Sequence, residues 1–233
     1  MINIFGQYVF YSYFCIMEQF NETASLMAKF LLQVKAIKLN NDNPFTWASG
    51  RKSPIYCDNR VTLSYPEIRT FIRQRFVEAI NECFGNVDVI AGVATGGIAQ
   101  GALVAQELGK PFVYVRSEEK KHGLTNQIEG EIHSGQTVVV IEDLVSTGKS
   151  SLIAVKALRE KGCVVKGMCA IFTYGLAVAA KNFEEAEVEL HTLTNYDTLI
   201  EVAHKEDYIQ NNQLESLAAW RVNPEKWSDD HMN

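Results

Sequence analysis

Two adjacent acidic residues, Glu142 and Asp143, follow an apolar run and precede a turn of small residues that opens a predicted helix. The turn contains Ser146, Thr147 and Gly148. Its backbone N–H groups would lie at the positive end of the helix dipole, which is a favourable place for a phosphate. Carboxylates beside a phosphate need a neutral group between them, and a ribose fits because carboxylates accept hydrogen bonds from its two hydroxyls. The pattern therefore predicts a site for a phosphorylated sugar.

The residues of this turn also partly match two other kinds of loop. Gly148-Lys149-Ser150 matches the end of the nucleotide-hydrolase loop Gly-x-x-x-x-Gly-Lys-Ser. The position of that loop's first glycine holds Asp143, whose side chain would keep the backbone away from the phosphates and repel them, so we reject this interpretation. Considered alone, the turn is also compatible with an ordinary strand-to-helix connection whose acidic residues face water.

The elements that must position this turn alternate between apolar strands and amphipathic helices. Apolar runs predict strands at Val87 to Val93, Phe112 to Val115, Thr137 to Ile141 and Val164 to Phe172. Helical spacing predicts helices at Ile98 to Leu108, Lys149 to Lys161 and Leu176 to Asn182. This alternation predicts an α/β fold with a mostly parallel sheet covered on both faces. Ligands bind such sheets beyond the carboxyl ends of the strands, where the candidate loops are Ala94 to Gly97, Arg116 to Glu131 and Glu142 to Gly148.

Helical spacing also predicts helices toward the two ends of the chain. A first helix is expected from Glu18 to Leu39, with its apolar face formed by Leu26, Phe30, Val34 and Ile37. Ser64 and Pro66 open a second helix, which ends near Gly85. The tail from Asn195 onward is expected to form structural helices.

The segment from Arg116 to Glu131 carries many charges, two glycines and few apolar side chains, so it is not expected to be a core element. We interpret it as a mobile active-site loop. Considered alone, such a charged run would more often be a solvated loop.

Composition and charge exclude several classes of function. The 28 acidic residues outnumber the 22 basic ones, so the chain lacks the basic surface that nucleic-acid binding requires. Neither paired cysteines nor histidines occur at zinc-binding spacing.

Met1 to Ile16 is apolar but too short to span a membrane. We interpret residues 1–16 as an extension, either upstream of a true start at Met17 or docked as a tail, and residues 17–233 as one cytoplasmic domain.

Four segments together resemble the type I phosphoribosyltransferases and, within them, the orotate phosphoribosyltransferases. Val138 to Ser151, reading VVVIEDLVSTGKSS, is similar to the family signature of apolar residues, two acids and a small-residue phosphate loop. Arg116 to Gly123 resembles the mobile loop of the orotate enzymes. Pro44 to Gly50 and Lys52 to Arg60 resemble their base-covering region, and Gly92 to Gly97 reads GVATGG.

The resemblance implies a fold and a reaction. The fold would be type I phosphoribosyltransferase-like, with a mostly parallel central sheet flanked by helices and a small N-terminal hood over about residues 18–63. The reaction would join orotate to phosphoribosyl pyrophosphate, giving orotidine 5'-monophosphate and pyrophosphate in pyrimidine biosynthesis. Mg²⁺ would be the cofactor, held mainly by substrate and water rather than by direct protein ligands. A homodimer would share the mobile loop between its subunits.

The resemblance also implies which residues act. Glu142 and Asp143 would hold the ribose hydroxyls, whereas Arg116, Lys120 and His122 would neutralise the departing pyrophosphate. Of these, Lys120, His122, Asp143 and Glu142 are the expected catalytic residues. The remaining expected substrate-binding residues are Thr95, Gly96, Gly97, Leu144, Val145, Ser146, Thr147, Gly148, Lys149 and Ser150. Ser146 could contact orotate or cap the helix, and the Lys149 side chain is expected at the surface.

The chain departs from many family members at two positions, since Ser117 and Ala48 stand where lysines occur, and Lys52 is a candidate to compensate. Some members hold the orotate carboxylate with an arginine after a late strand, but Thr173-Tyr174-Gly175 has none. Two alternatives stay open: a transferase for a purine base, and a non-catalytic regulator that binds phosphoribosyl pyrophosphate. The Lys-x-His-Gly pattern from Lys120 favours orotate, and the acidic net charge is unfavourable for a nucleic-acid-binding regulator.

Overall fold

A computed structural model describes residues 21–47, 49–116 and 127–232. The strands are β1 (Ile37–Leu39), β2 (Phe45–Thr46), β3 (Lys52–Ser53), β4 (Ile55–Cys57), β5 (Val89–Val93), β6 (Phe112–Val115), β7 (Ile128–Glu129), β8 (Thr137–Val145), β9 (Val164–Thr173) and β10 (Leu190–Asn195). The helices are α1 (described over 21–33), α2 (Pro66–Ala79), α3 (Gly96–Leu108), α4 (Lys149–Glu160), α5 (Ala177–Glu185), α6 (Tyr196–Lys205), α7 (Asn211–Val222) and α8 (Pro224–Asp230). No helix within these described ranges is long and apolar enough to cross a membrane.

The central sheet has six strands in the order β10-β9-β8-β5-β6-β7. Its neighbouring strands run parallel except for β7, which is antiparallel to β6. Two small antiparallel pairs, β1 with β4 and β2 with β3, lie in the N-terminal hood. The predicted α/β fold with a mostly parallel sheet is confirmed.

Alternate residues of the central strands pack into two separate hydrophobic clusters. Val138 and Val140 of β8 belong to the cluster that contains side chains of α4 and α5. Val139 and Ile141 belong to the other cluster, which contains side chains of α2, α3 and the C-terminal helices. All four are fully buried, because helices cover the sheet on both faces.

The predicted first helix is too long. Helix α1 ends at residue 33, and Ile37 begins a strand that pairs antiparallel with β4. Between them Lys35 has a φ of 57°, a left-handed conformation that does not continue a helix. Ile37 is buried in the strand, as it would have been on the apolar face of a helix, so its spacing could not distinguish the two structures. Leu26, which was predicted to lie on the apolar face, is exposed. Residues 1–20, including Met1 to Ile16 and the predicted helix start at Glu18, lie outside the described residues.

Other predicted boundaries also shift. Helix α2 begins at Pro66 as predicted, and the π-helical turn Ile80–Phe84 carries it to Gly85. Strand β8 extends to Val145, so the two acidic residues belong to the strand and not to a loop. The segment from Arg116 to Glu131 was not expected to contribute a core element, but Ile128–Glu129 forms the edge strand β7 and Ile128 is buried.

Strand β10 is absent from the sequence prediction. Its sequence, LHTLTN, lacks the continuous apolar run that marks the central strands. It pairs in parallel with β9 alone at the edge of the sheet. An edge strand is only partly covered, so its composition carries a weaker signal.

The C-terminal helices hold the hood against the sheet. Trp47 packs with its ring centroid 5.7 Å from that of Tyr174 and 5.9 Å from that of Trp220, which is fully buried. The backbone N–H of Lys52 donates to the hydroxyl of Ser228 at 2.9 Å. These contacts place the strands of the hood close to the carboxyl end of the central sheet.

Candidate active site

Strand β8 extends past its neighbour β5 at the carboxyl end of the sheet. β5 pairs with β8 as far as Gly92 with Ile141, and the later residues of β8 pair with β9 alone. The extension brings Glu142 and Asp143 beside the loop that follows β5, where a cavity of about 440 Å³ opens. The lining residues are Cys57, Asp58, Arg60, Val93, Ala94, Thr95, Gly96, Glu142, Asp143, Leu144, Ser146, Thr147, Gly148 and Ser150.

The two acidic residues have different environments. Glu142 is 4% exposed, and its carboxylate oxygens accept hydrogen bonds from the Ser151 hydroxyl and from the backbone N–H of Asp143, each at 2.9 Å. Asp143 is half-buried, and its backbone carbonyl accepts a hydrogen bond from the Asn59 side chain at 2.5 Å. Glu142 is therefore held in one orientation, whereas Asp143 has the more accessible carboxylate.

The environment of Glu142 favours its neutral form. Burial raises the pKa of Glu142 well above its usual value, and the negative charge of Asp143 raises it further. The hydrogen bonds from the Asp143 backbone and the Ser151 hydroxyl oppose this shift. Because two ionised carboxylates repel each other here, a positive charge that develops in the cavity would relieve that repulsion and favour the ionised form of Glu142.

The turn between β8 and α4 has the geometry of an anion site. Gly148 has a φ of 78°, and an added Cβ there would lie 2.6 Å from the ring of Phe183, so both backbone and space require glycine. The side chain of Asn182 on α5 donates to the carbonyl of Thr147 at 2.9 Å and fixes the turn. The first N–H groups of α4 have no acceptor within the helix and, with the Ser150 hydroxyl, can bind a phosphate.

The loop after β5 forms a second wall of the cavity. Its Ala94–Thr95 peptide bond is cis, and helix α3 begins at Gly96. A Cβ added at Gly96 would overlap the carboxyl group of Asp143, and one added at Gly97 would overlap the backbone oxygen of Ile141. The glycines therefore allow the N-terminus of α3 to lie against β8. The acidic pair thus lies between the N-termini of two helices, α3 and α4.

A family model described as a phosphoribosyl transferase domain matches residues 63–210. The orotate phosphoribosyltransferase of Porphyromonas gingivalis is 59% identical over 202 residues, which cover 87% of this chain and 96% of that protein. The chain belongs to the orotate phosphoribosyltransferases. The relative of that name from Listeria monocytogenes is 56% identical over 201 residues, covering 86% of this chain and 96% of its own. The crystal structure of the Aeropyrum pernix orotate phosphoribosyltransferase matches with a TM-score of 0.69 and 30% identity, covering 79% of this chain and 99% of that one.

The cavity of this phosphoribosyltransferase contains most of the predicted substrate-binding residues, namely Thr95, Gly96, Glu142, Asp143, Leu144, Ser146, Thr147, Gly148 and Ser150. Four others are not among the lining residues. Arg116 lies 3.7 Å from a carboxylate oxygen of Glu129, Lys149 is exposed, and Gly97 and Val145 are buried. Lys120 and His122 lie outside the described residues, as do Ser117 and Ala48.

Three lining residues, Cys57, Asp58 and Arg60, come from the hood and were not predicted. Asp58 accepts hydrogen bonds from Nε of Arg60 at 2.6 Å and from Nη2 at 2.9 Å, which lower the pKa of its carboxyl group. Lys52, the candidate to replace missing lysines, is not a lining residue. By its resemblance, the sequence identified this segment only as a base-covering region. Which of its side chains face the cavity depends on the contact between Asn59 and β8.

Proposed function

We propose that the enzyme transfers the phosphoribosyl group of phosphoribosyl pyrophosphate to orotate, giving orotidine 5'-monophosphate and pyrophosphate in pyrimidine biosynthesis. The observation that carries the proposal is a single cavity in which Glu142 and Asp143 lie between the N-termini of α3 and α4. This arrangement suits a ribose with phosphate groups at both ends. The names of the relatives at 56–59% identity support orotate as the base.

The 5'-phosphate would bind the loop at the start of α4, through the backbone N–H groups of residues 146–150 and the hydroxyls of Ser146, Thr147 and Ser150. The pyrophosphate would bind the backbone of residues 95–97, at the start of α3. Leu144 and Val145 would connect the acidic pair to the phosphate loop. Lys149 would contribute its backbone N–H, since its side chain is exposed.

The acidic pair would act on the charge that develops during transfer. Pyrophosphate leaves the anomeric carbon early, so positive charge grows on the ribose. Asp143 and Glu142 would hold the ribose hydroxyls and stabilise that charge. Arg116, Lys120 and His122 would neutralise the leaving group. Orotate needs no strong base, because its ring nitrogen can arrive already deprotonated.

The donor set of the cavity fits Mg²⁺. Asp143 offers a half-exposed carboxylate, which is a type of ligand that Mg²⁺ takes, whereas both oxygens of Glu142 already accept hydrogen bonds. Asp143 would hold the ion through water, and the pyrophosphate would supply most of the other oxygens. Bound Mg²⁺ would neutralise negative charge on the leaving group.

A base-selectivity assay tests the proposal. The purified protein with Mg²⁺ and phosphoribosyl pyrophosphate is offered orotate, uracil, adenine or hypoxanthine separately, and the ultraviolet absorbance of each base is followed. We expect orotate to be consumed. Consumption of a purine but not orotate would indicate a purine transferase, and binding of phosphoribosyl pyrophosphate without consumption of any base would indicate a regulator. Either result would contradict the proposal.

We also propose a homodimer in which the loop containing Lys120 and His122 serves the neighbouring subunit's site. Within the described lining, Arg60 is the one basic side chain, against Asp58, Glu142 and Asp143. The departing pyrophosphate needs more positive charge than this lining offers. A loop from the partner would supply it.

Mixing two inactive variants tests the shared site. Lys120→Ala and Asp143→Asn proteins are each expected to be inactive. After random subunit exchange, half of the dimers would hold one intact site, so the mixture should regain about a quarter of wild-type activity. Each variant exchanged with itself is the control. Native mass spectrometry would verify the exchange, and no recovery in a verified mixture would contradict a shared site.

A further inference from the structure

The carboxylate of orotate needs a partner in the base-binding part of the site. Binding a carboxylate away from bulk water requires a cation or several hydrogen-bond donors. No arginine follows β9 in Thr173-Tyr174-Gly175. Arg221 of α7 lies near Gly175, but it pairs with Asp197 and lines a different cavity. The partner must therefore come from another element.

Arg60 lies in the part of the cavity lining that is not assigned to phosphate groups. The turn before α4 and the loop before α3 are assigned to phosphate groups, and Glu142 with Asp143 to the ribose. The remaining described lining is the hood segment with Cys57, Asp58 and Arg60. The Arg60 side chain is 57% exposed, so a ligand can reach it.

Arg60 has one edge occupied and one edge free. Nε and Nη2 donate to the two carboxylate oxygens of Asp58, and the Arg60 backbone N–H also donates to Asp58 at 3.2 Å. A guanidinium has five N–H donors in one plane, so Nη1 and the outer hydrogen of Nη2 remain for a second carboxylate. Asp58 fixes the side chain before a ligand binds, which lowers the entropy cost of binding.

The position of Arg60 relative to the ribose site is also fixed. The preceding residue, Asn59, is buried and donates from its side chain to the backbone carbonyl of Asp143. Asp143, after Asp58, contributes to raising the pKa of Arg60, so the guanidinium lies within electrostatic reach of that carboxylate. A base attached to a ribose that contacts Asp143 would therefore lie near Arg60.

The geometry points to Arg60 as the residue that binds the carboxylate of orotate and selects orotate over bases that lack a carboxylate. The inference rests on the function proposed above. The free edge of Arg60 forms two parallel hydrogen bonds with the orotate carboxylate. Uracil has the same ring without this group and gains nothing from Arg60.

Steady-state kinetics of the full chain carrying Arg60→Gln test this role. The KM for orotate should rise about 10- to 100-fold, because hydrogen bonds between charged groups are lost. The KM for phosphoribosyl pyrophosphate and any turnover of uracil should stay close to wild type, so the preference for orotate over uracil falls by the same factor. Arg51→Gln is the matched control. Arg51 is another exposed arginine of the hood, paired with Glu225, and it does not line the cavity.

A second variant, Arg60→Lys, separates charge from shape. Lysine keeps the charge but lacks the planar pair of donors, so its KM for orotate should lie between those of wild type and Arg60→Gln. If Arg60→Gln does not fold, as judged by thermal melting, Arg60→Lys decides. A wild-type KM for orotate in the folded variant would overturn the inference, and so would an equal rise in the KM for phosphoribosyl pyrophosphate. A wild-type enzyme without orotate activity would instead overturn the proposed function.

Discussion

Replacing Gly96 with alanine is expected to remove most of the activity while the protein stays folded. A Cβ at Gly96 would overlap the carboxyl group of Asp143, which must rotate away because it is the movable partner. The ribose would then lose the accessible carboxylate, and the backbone at the start of α3 could no longer approach the pyrophosphate closely. We expect kcat/KM for phosphoribosyl pyrophosphate to fall by about 10²- to 10³-fold.

Gly97→Ala provides the contrast for this prediction. Its Cβ would overlap the backbone oxygen of Ile141, which cannot move unless α3 shifts away from β8. This variant should lower the free energy of unfolding by about 1–3 kcal/mol, as for other overpacked sites. Urea denaturation would show a reduced midpoint for Gly97→Ala and a near wild-type midpoint for Gly96→Ala. Wild-type kcat/KM in Gly96→Ala, or equal destabilisation of the two variants, would contradict this account.

Replacing Glu142 with glutamine is expected to lower activity and raise stability. The amide keeps the shape of the carboxyl group, accepts from the backbone N–H of Asp143 and donates to the Ser151 hydroxyl, which can rotate to accept. The variant therefore cannot ionise at position 142, but it keeps the buried hydrogen bonds. Because ionised Glu142 would stabilise the positive ribose during transfer, we expect kcat to fall by about 10²- to 10³-fold.

The gain in stability should depend on pH. Burial raises the pKa of Glu142 above its value in the unfolded chain, so the folded state holds this proton to higher pH than the unfolded state does. The free energy of unfolding of the wild type therefore falls as the pH rises from the unfolded pKa to the raised folded pKa. The melting temperature of Glu142→Gln should match that of wild type below this window and exceed it increasingly through the window.

Thermal melting of both proteins between acidic and mildly basic pH checks this prediction. Glu160→Gln, in an exposed pair with Lys156 on the same helix α4, is the control and should change neither activity nor the pH dependence. If the melting temperature of Glu142→Gln stays below that of wild type at every pH, ionisation of the buried Glu142 does not destabilise the folded state, and the prediction is wrong.

Local sequence was sufficient to place the turn before α4 and the strands beside it. Ser146, Thr147 and Gly148 lie between a buried strand and a helix as predicted, because turn chemistry and apolar runs depend on neighbouring residues. The glycines at 96 and 97 were also recognisable, since only glycine permits close backbone approach. The family likewise followed from short motifs, which comparison with relatives confirmed.

The pattern of residues was therefore enough to predict the α/β class and to locate the acidic pair and the small-residue turn before α4. Only the packed fold shows that Glu142 is buried while Asp143 remains accessible, and that Ile37 forms a strand and not the end of a helix. It also brought Arg60 into the cavity, through a contact between Asn59 and Asp143 that are 84 residues apart. Burial and long-range contacts depend on how distant elements pack, and a local pattern of residue types does not contain that information.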